Sequence, residues 1–215
     1  MQSKKYKKRI FVIAGEISGE NIAYEVLKDL KKYYDLDFYG VGGSRLKKLG
    51  LKTIFPMHKL SIMGIIEIIP KIPFLFLLIR KTVIAIIKYN PDLIITIDAP
   101  DFNFRVLTRL KKIAPNQKVL HIVAPTVWAW KASRAKKISK YLNHLFVLYP
   151  FERKYFTPHN INTTFIGHPL FIKKIENSNF RHLDKKIISI YPGSRVNEIK
   201  RHLRDILIFI NKLKN

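Results

Sequence analysis

The sequence contains no cysteine and few acidic residues, and both shortages narrow the classes of protein to consider. Without cysteine there is no disulfide framework, no thiolate metal site and no cysteine nucleophile. Against 15 Asp and Glu residues stand 40 Lys and Arg residues, which gives the 215-residue chain a formal net charge of +25. Such a charge attracts nucleic acid, anionic lipid or phosphorylated substrates, and compositional drift is an equally good source of part of it.

The longest apolar stretch of the sequence is interrupted. A transmembrane helix needs about 20 consecutive apolar residues, but residues 60–79 are broken by charged residues and prolines, namely Glu67, Pro70, Lys71 and Pro73. We therefore predict no membrane span, and the apolar run at 10–14 is too short for a signal peptide. Residues 74–78 are apolar on all sides and lie between cations, which indicates shallow contact with an anionic membrane surface. The alternative is a helix buried in a large core, which we expect for residues 82–88.

Short β-branched runs alternate with segments of helical periodicity along the first 170 residues. Strands are predicted at 10–14, 37–41, 53–55, 93–97, 118–124, 144–148 and 163–166. Helices are predicted at 21–34, 44–49, 102–112, 131–141 and 153–156. This alternation predicts an α/β fold with a doubly wound parallel sheet.

The domain boundaries follow from changes in composition. Residues 1–170 are predicted to form a Rossmann-like domain, with a hydrophobic, membrane-facing segment at about 60–80. The polar residues 171–186 are predicted to be a linker, and 187–215 a single βα unit with a strand at 187–191 and a helix at 197–213. Because about 30 residues cannot bury enough surface to fold alone, this unit either packs onto the first domain or begins a second one.

A carboxylate follows the apolar strand at 93–97 directly. Asp98 is succeeded within five residues by Pro100, Asp101 and Asn103. Ligands of open α/β sheets gather beyond the carboxyl ends of the strands, so Asp98 is a candidate proton acceptor at the rim of a crevice. The alternative is that Asp98 caps the next helix or pairs with one of the many cations.

The first strand is followed by a turn with two glycines. Gly15 and Gly19 allow a tight bend, but the spacing matches neither the dinucleotide nor the P-loop fingerprint. Glu16 and Glu20 would repel a diphosphate, so a sugar hydroxyl is the better ligand for this turn. The alternative is purely structural, with turn glycines and Ser18 as a helix N-cap.

Other polar and aromatic residues follow later strands. Trp128 and Trp130 lie in one loop and either stack on a sugar or acyl group or pack against the protein. His121 is predicted to be a core histidine, whereas His168 in a Gly-His-Pro turn contacts a ligand or is merely exposed. Arg195, at the start of a helix, suits a phosphate.

No metal site and no nucleic-acid site are predicted. Histidines and carboxylates do not occur at ligand spacing. The basic segment 131–141 lacks a nucleic-acid-binding motif, so a solvated face or an anionic membrane surface explains it more simply.

Seven motifs occur in the order expected of the lipid-A-disaccharide synthase family, which the sequence resembles from about residue 10 to its C-terminus. They are residues 14–20 (AGEISGE), 63–67 (MGIIE), 97–103 (IDAPDFN), 125–130 (PTVWAW), 148–152 (LYPFE), 165–169 (FIGHP) and 192–195 (PGSR). Two positions depart from the family pattern, since Glu20 replaces the usual Asp and Tyr149 a small or apolar residue.

The resemblance implies an inverting glycosyltransferase with a GT-B pair of Rossmann-like domains and no metal or other cofactor. Such an enzyme moves 2,3-diacylglucosamine from UDP to 2,3-diacylglucosamine 1-phosphate and forms the β-1,6 lipid A disaccharide. It implies that Asp98 is the general base or orients the acceptor. Met63, Gly64 and Glu67 would line the entrance for acyl chains, and Arg195 would meet a phosphate. We assign the other substrate contacts to Gly15, Glu16, Ser18, Gly19, Glu20, Asn103, Trp128 and His168.

Partners and location follow from the same resemblance. The substrates are anionic lipids, so we expect a peripheral protein on the cytoplasmic, inner face of the bacterial inner membrane. The family is considerably longer, so most of a donor-binding domain would be missing, and a separately encoded C-terminal half is an expected partner. The alternative is an inactive remnant that acts at most as a lipid-binding protein at a membrane surface.

Overall fold

The computed structural model describes residues 6–60, 72–129, 132–168, 187–193 and 196–214. Within them the strands are β1 (Lys7–Ala14), β2 (Asp35–Val41), β3 (Lys52–Thr53), β4 (Leu93–Ile97), β5 (Val119–Ile122), β6 (His144–Val147) and β7 (Thr163–Phe165). The α-helices are α1 (Ile17–Tyr33), α2 (Ser44–Lys48), α3 (Ile72–Tyr89), α4 (Pro100–Ile113), α5 (Arg134–Ser139) and α6 (Val196–Lys214). Short 3₁₀ helices occupy Met57–Leu60, Pro150–Tyr155 and Thr157–His159.

The seven strands form one parallel sheet in the order β3-β2-β1-β4-β5-β6-β7. β1 pairs with β2 on one side and with β4 on the other. The strand order therefore reverses between β1 and β4, where open α/β sheets bind their ligands. The doubly wound parallel sheet predicted from the sequence is confirmed.

Side chains of β1 alternate between two apolar layers. Phe11 and Ile13 pack with buried residues of α3 and α4 on one face of the sheet. Val12 and Ala14 pack with buried residues of α1 and α2 on the other face. Both faces of the central strands are therefore covered, which is why these strands read as continuous apolar runs in the sequence.

The first helix begins earlier than predicted. α1 starts at Ile17, with Glu16 at the N-cap position and no side-chain cap hydrogen bond. The predicted turn over 15–20 is therefore wrong beyond Glu16, and Ser18 is not the N-cap. Gly19 is tolerated in the first helical turn because it allows close packing against β4, as described below.

The other boundaries are mostly within a few residues of the prediction. α4 begins at Pro100, where the missing N–H of a proline at the first helical position removes no hydrogen bond. β3 overlaps the predicted strand 53–55 at Thr53 alone, and α5 is shorter than the predicted 131–141.

The chain divides into two compact units, Met1–Lys173 and Lys174–Asn215. In the second unit α6 confirms the predicted helix, but residues 187–193 form no strand, so the strand predicted at 187–191 is wrong. A strand exists through hydrogen bonds to a neighbouring strand, and no other strand occurs among the described residues of this unit. The predicted linker 171–186 lies outside the described residues.

None of the described helices combines the length and the apolar character that crossing a membrane requires.

Candidate active site

The carboxyl ends of β1 and β4 lie side by side at the point where the strand order reverses. The register pairs Ala14 with Ile97, so Gly15 and Asp98 leave the sheet next to each other. This confirms the predicted position of Asp98 at the carboxyl edge of the sheet. A side chain here faces the crevice in which ligands of doubly wound folds bind.

Asp98 lies in a left-handed turn. The φ angle of Asp98 is 49° and that of Ala99 is 42°, a region that costs a non-glycine residue roughly 1–3 kcal/mol. Ala99 occupies the N-cap position of α4, without a side-chain cap hydrogen bond. The structural alternative, in which Asp98 caps the next helix, is therefore wrong, and the half-buried carboxylate accepts a long 3.5 Å hydrogen bond from the Ser18 hydroxyl.

Asn103 holds this turn from below. It is fully buried in the first turn of α4, and its Nδ2 donates to the carbonyl oxygen of Asp98 at 2.6 Å and to that of Ile97 at 3.4 Å. The backbone N–H of Asp98 donates across the sheet to the Ile122 carbonyl at 3.0 Å. These contacts fix the backbone that carries the carboxylate, so Asn103 positions Asp98.

The closeness of the Asp98 turn leaves no room for a side chain at Gly15 and little room for one at Gly19. A Cβ added to Gly15 would lie 2.5 Å from the Cβ of Ala99. A Cβ added to Gly19 would lie 3.2 Å from the Cβ of Asp98 and 3.3 Å from Cγ2 of Ile97. The backbone at Gly15 and Gly19 therefore lies directly against the Asp98 turn. No side chain at these two positions separates Asp98 from α1.

Glu20 is buried and serves α2. It is 4% exposed, and its Oε1 accepts the backbone N–H of Leu46 at 3.0 Å, which satisfies a free donor in the first turn of α2. Its other carboxylate oxygen lies so close to Gly43 that a Cβ there would meet it at 2.2 Å. The carboxylate thus joins α1 to α2, and Glu16 and Ser18 are the polar side chains of this region that lie closer to solvent.

Four rings form a row beyond the ends of β5, β6 and β7, and we call them the aromatic row. Trp128 meets Phe151 edge to face at 5.5 Å between centroids, Phe151 stacks on Tyr149 at 5.8 Å, and Tyr149 stacks on His168 at 6.1 Å. Trp128, Tyr149 and Phe151 are each 40–46% exposed. Trp128 and His168 were predicted from the sequence, but the two rings between them, Tyr149 and Phe151, were not, although both lie in the motif at 148–152.

Two buried polar residues support the surrounding loops. His121 is fully buried, as predicted, and its Nδ1 lies 2.7 Å from the Thr96 hydroxyl. Burial lowers the pKa of His121 to about 3, so the ring is neutral at physiological pH. Glu152 accepts the N–H groups of Leu148 and Tyr149, and burial raises the pKa of its carboxyl despite these donors.

Several predicted residues are outside the part of the chain that the structure describes. They are Met63, Gly64, Glu67, Trp130 and Arg195. Within the described ranges no three His, Asp or Glu side chains group closely enough to hold a metal ion.

Comparison with known proteins gives consistent matches over most of the chain. The family model described as lipid-A-disaccharide synthetase matches residues 10–215. Lipid-A-disaccharide synthase of Rickettsia prowazekii is 41% identical over 96% of this chain and 56% of its own length. That of Rhodospirillum centenum is 38% identical over 91% and 51%. A solved UDP-N-acetylglucosamine 2-epimerase from Rickettsia bellii aligns over 98% of this chain and 52% of its own, with a TM-score of 0.49 and 13% identity.

The fold and the site together define an α/β protein with a carboxylate at the ligand-binding edge of its sheet. The chain belongs to the lipid-A-disaccharide synthetase family. It spans about half the length of the curated relatives that it matches.

Proposed function

We propose that this chain forms the acceptor-side half of a glycosyltransferase of lipid A biosynthesis. The reaction moves 2,3-diacylglucosamine from UDP to the 6-hydroxyl of 2,3-diacylglucosamine 1-phosphate, giving the β-1,6 disaccharide and UDP. The observation that carries the proposal is the position of Asp98, a solvent-reachable carboxylate in a left-handed turn where the strand order reverses. Family membership supplies the substrate class.

In this proposal Asp98 is the general base. Its carboxylate takes the proton of the acceptor 6-hydroxyl as that oxygen attacks the anomeric carbon of the donor. The bond between the anomeric carbon and the UDP oxygen breaks, its electron pair leaves with UDP, and the configuration inverts. The rigid turn, held by Asn103 and closely packed against Gly15 and Gly19, keeps the carboxylate oriented for this transfer.

The proposed substrate contacts follow from position. Glu16 and Ser18, on the Gly15 side of the crevice, meet sugar hydroxyls. The aromatic row offers partly exposed rings to a sugar, with Trp128 and His168 at its two ends. Met63, Gly64 and Glu67 at the acyl entrance and Arg195 on a phosphate remain proposals from the family resemblance.

The test of the proposal uses this chain extended by the C-terminal half of one of the relatives, to supply a donor-binding domain. We expect this extended protein to form the disaccharide, and Asp98→Asn to lower kcat by at least about a hundredfold, the usual effect of losing a general base. The matched control is Asp92→Asn, because Asp92 lies just before β4, at its opposite end, and binds Arg9. Full activity of the Asp98 variant would contradict the role given to this residue.

We also propose that α3 contacts a membrane at the inner face of the inner membrane. Phe74, Phe76 and Leu77 are 39%, 47% and 63% exposed, and the cations Arg80 and Lys81 follow on the same helix. Exposed apolar side chains beside cations favour an anionic lipid surface. Replacing all three apolar residues by Ser should abolish co-flotation with anionic vesicles. Tyr33→Ser with Tyr34→Ser, on exposed apolar residues of the opposite face, is the control.

A second candidate function is that of a non-catalytic lipid-binding protein at the membrane surface. The exposed apolar face of α3 favours it, because this face does not depend on a donor domain. It predicts vesicle binding without disaccharide formation, even in the extended protein. The two candidates therefore differ in the same glycosyltransferase assay.

A further inference from the structure

A cationic cavity lies between the outer surfaces of α4 and α5. Its volume is about 520 Å³, within the range of about 300–1,000 Å³ typical of small-molecule sites. Five of its lining residues are cations, namely Arg105, Arg109, Lys112, Arg134 and Lys137. Asp101 is the sole carboxylate among the lining residues, and it pairs with Arg134. Since cations this close repel one another, an anion bound among them is favoured.

An apolar cavity adjoins the cationic one along α3. Its volume is about 670 Å³, and it is lined mainly by side chains of α3 and the end of α4. The apolar members include Leu77, Ile84, Ile87 and Ile113, which are 44–63% exposed. Such a contiguous exposed apolar patch indicates a binding surface.

The two cavities share one wall. Phe76, Arg109 and Lys112 line both of them. The guanidinium of Arg109 lies 4.7 Å from the centre of the Phe76 ring, so the charged and the apolar parts are held together by a cation–π contact. We call the pair of cavities the bipartite groove.

We propose that the bipartite groove binds one anionic glycerophospholipid, with its phosphate among the arginines and its acyl chains on the apolar part. Charge and apolar surface in one groove match the two parts of such a lipid. A nucleic acid would leave the apolar part exposed. A second copy of this chain would bring its own net charge of +25 against the same cations.

The groove extends from Pro100 and Asp101, at the start of α4 near the Asp98 turn, to Arg109 and Lys112 farther along the same helix. Arg109 lies on α4 roughly 15 Å along the helix axis from its Asp98 end, at 1.5 Å per residue. The site also goes beyond adsorption to a charged surface, because it predicts a saturable interaction with a single lipid molecule. It does not depend on glycosyltransferase activity, so either proposal can fail without the other.

The test uses monomeric short-chain lipids, which remove the surface potential of a bilayer. The whole chain is titrated with dihexanoyl phosphatidylglycerol below its micellar concentration, and chemical shifts of backbone amides are followed by NMR. We expect saturable shifts confined to α3, α4 and α5. Dihexanoyl phosphatidylcholine lacks the net negative charge, and inorganic phosphate lacks the acyl chains. Each should bind at least about tenfold more weakly than dihexanoyl phosphatidylglycerol.

Two double variants separate the parts of the groove. Arg105→Gln with Arg109→Gln should weaken phosphatidylglycerol binding by about tenfold or more, through loss of charge-assisted hydrogen bonds. Ile84→Ser with Ile87→Ser should weaken the lipid but leave the weak binding of inorganic phosphate unchanged. The matched control is Lys47→Gln with Lys48→Gln, which removes the same charge from exposed positions on α2, across the sheet.

Specific outcomes would overturn the proposal. If phosphatidylcholine bound as tightly as phosphatidylglycerol, the cations would have no role in binding. If inorganic phosphate bound as tightly as phosphatidylglycerol, the groove would be an anion site and not a lipid site. Equal loss of binding in the α2 control would show that net charge alone attracts the lipid. Unchanged thermal unfolding of each variant confirms that the fold is intact.

Discussion

At the residue scale, the left-handed turn of Asp98 and Ala99 is stabilised by close packing and by hydrogen bonds. Gly15 and Gly19 let it approach α1, and Asn103 binds its carbonyl groups. The sequence identified Asp98, because a carboxylate after an apolar strand is visible in the pattern. The supporting function of Asn103 was not predictable, since it depends on which atoms its side chain reaches in the first turn of α4.

We expect Asn103→Ala to destabilise this turn. The carbonyl of Asp98 would lose its 2.6 Å hydrogen bond inside the protein, and leaving a buried polar group unsatisfied costs about 1–3 kcal/mol. Urea unfolding should show that loss, and hydrogen exchange of the Asp98 amide should accelerate. Asn116→Ala, at an exposed position after α4, should change neither quantity. Equal exchange rates in the two variants would rule out the positioning role.

His121 should make the chain sensitive to acid. Burial lowers its pKa to about 3, whereas an unfolded histidine titrates near 6.5. Below about pH 6.5 the unfolded chain therefore binds a proton at this histidine that the folded chain does not bind. The contribution of His121 to the free energy of unfolding is complete above about pH 6.5 and is lost as the pH falls toward 3. His121→Gln should flatten this part of the pH dependence of the unfolding free energy, by a few kcal/mol in total. If the His121→Gln variant kept the pH dependence of the parent protein's unfolding free energy, burial of His121 would not be its cause.

At the scale of elements, alternation of strands and helices was predictable, but contacts between elements were not. Apolar runs of about five residues located β1 and β4, because both faces of the sheet are covered there. The prediction of a strand at 187–191 was wrong, because the apolar pattern of a sequence cannot show whether a neighbouring strand is present to pair with it. The start of α1 was missed because Gly19 reads as a turn residue, although its small size serves helix packing.

The link between α1 and α2 gives a testable stability effect. Glu20→Ala removes the acceptor of the Leu46 N–H and should lower the free energy of unfolding by about 1–3 kcal/mol. Glu20→Gln keeps a carbonyl acceptor and should cost less. Asp35→Ala, at an exposed carboxylate that starts β2, is the control for loss of one negative charge. Equal effects of the two alanine variants in urea unfolding would contradict the capping role.

At the scale of the whole molecule, the sequence predicted the crevice but not the groove. The strand order follows from general rules for parallel sheets, so the edge that carries Asp98 was predictable. The bipartite groove needs α3, α4 and α5 side by side, and the aromatic row needs the ends of three strands. Their residues are scattered along the chain, and only the folded structure brings them together.

The central position of β1 sets the order in which the chain becomes able to fold. Arg9 and its partner Asp92 are 83 residues apart, and at about 5–20 residues per second β4 is synthesised roughly 4–17 seconds after β1. During that interval the edge of β1 that pairs with β4 has no partner, and we expect the cations Lys7 and Lys8 at the start of β1 to oppose self-association of nascent chains. We expect Lys7→Thr with Lys8→Thr to increase light scattering during refolding from urea while the native unfolding midpoint changes little. In this prediction the cations that begin β1 limit aggregation while the chain is being synthesised.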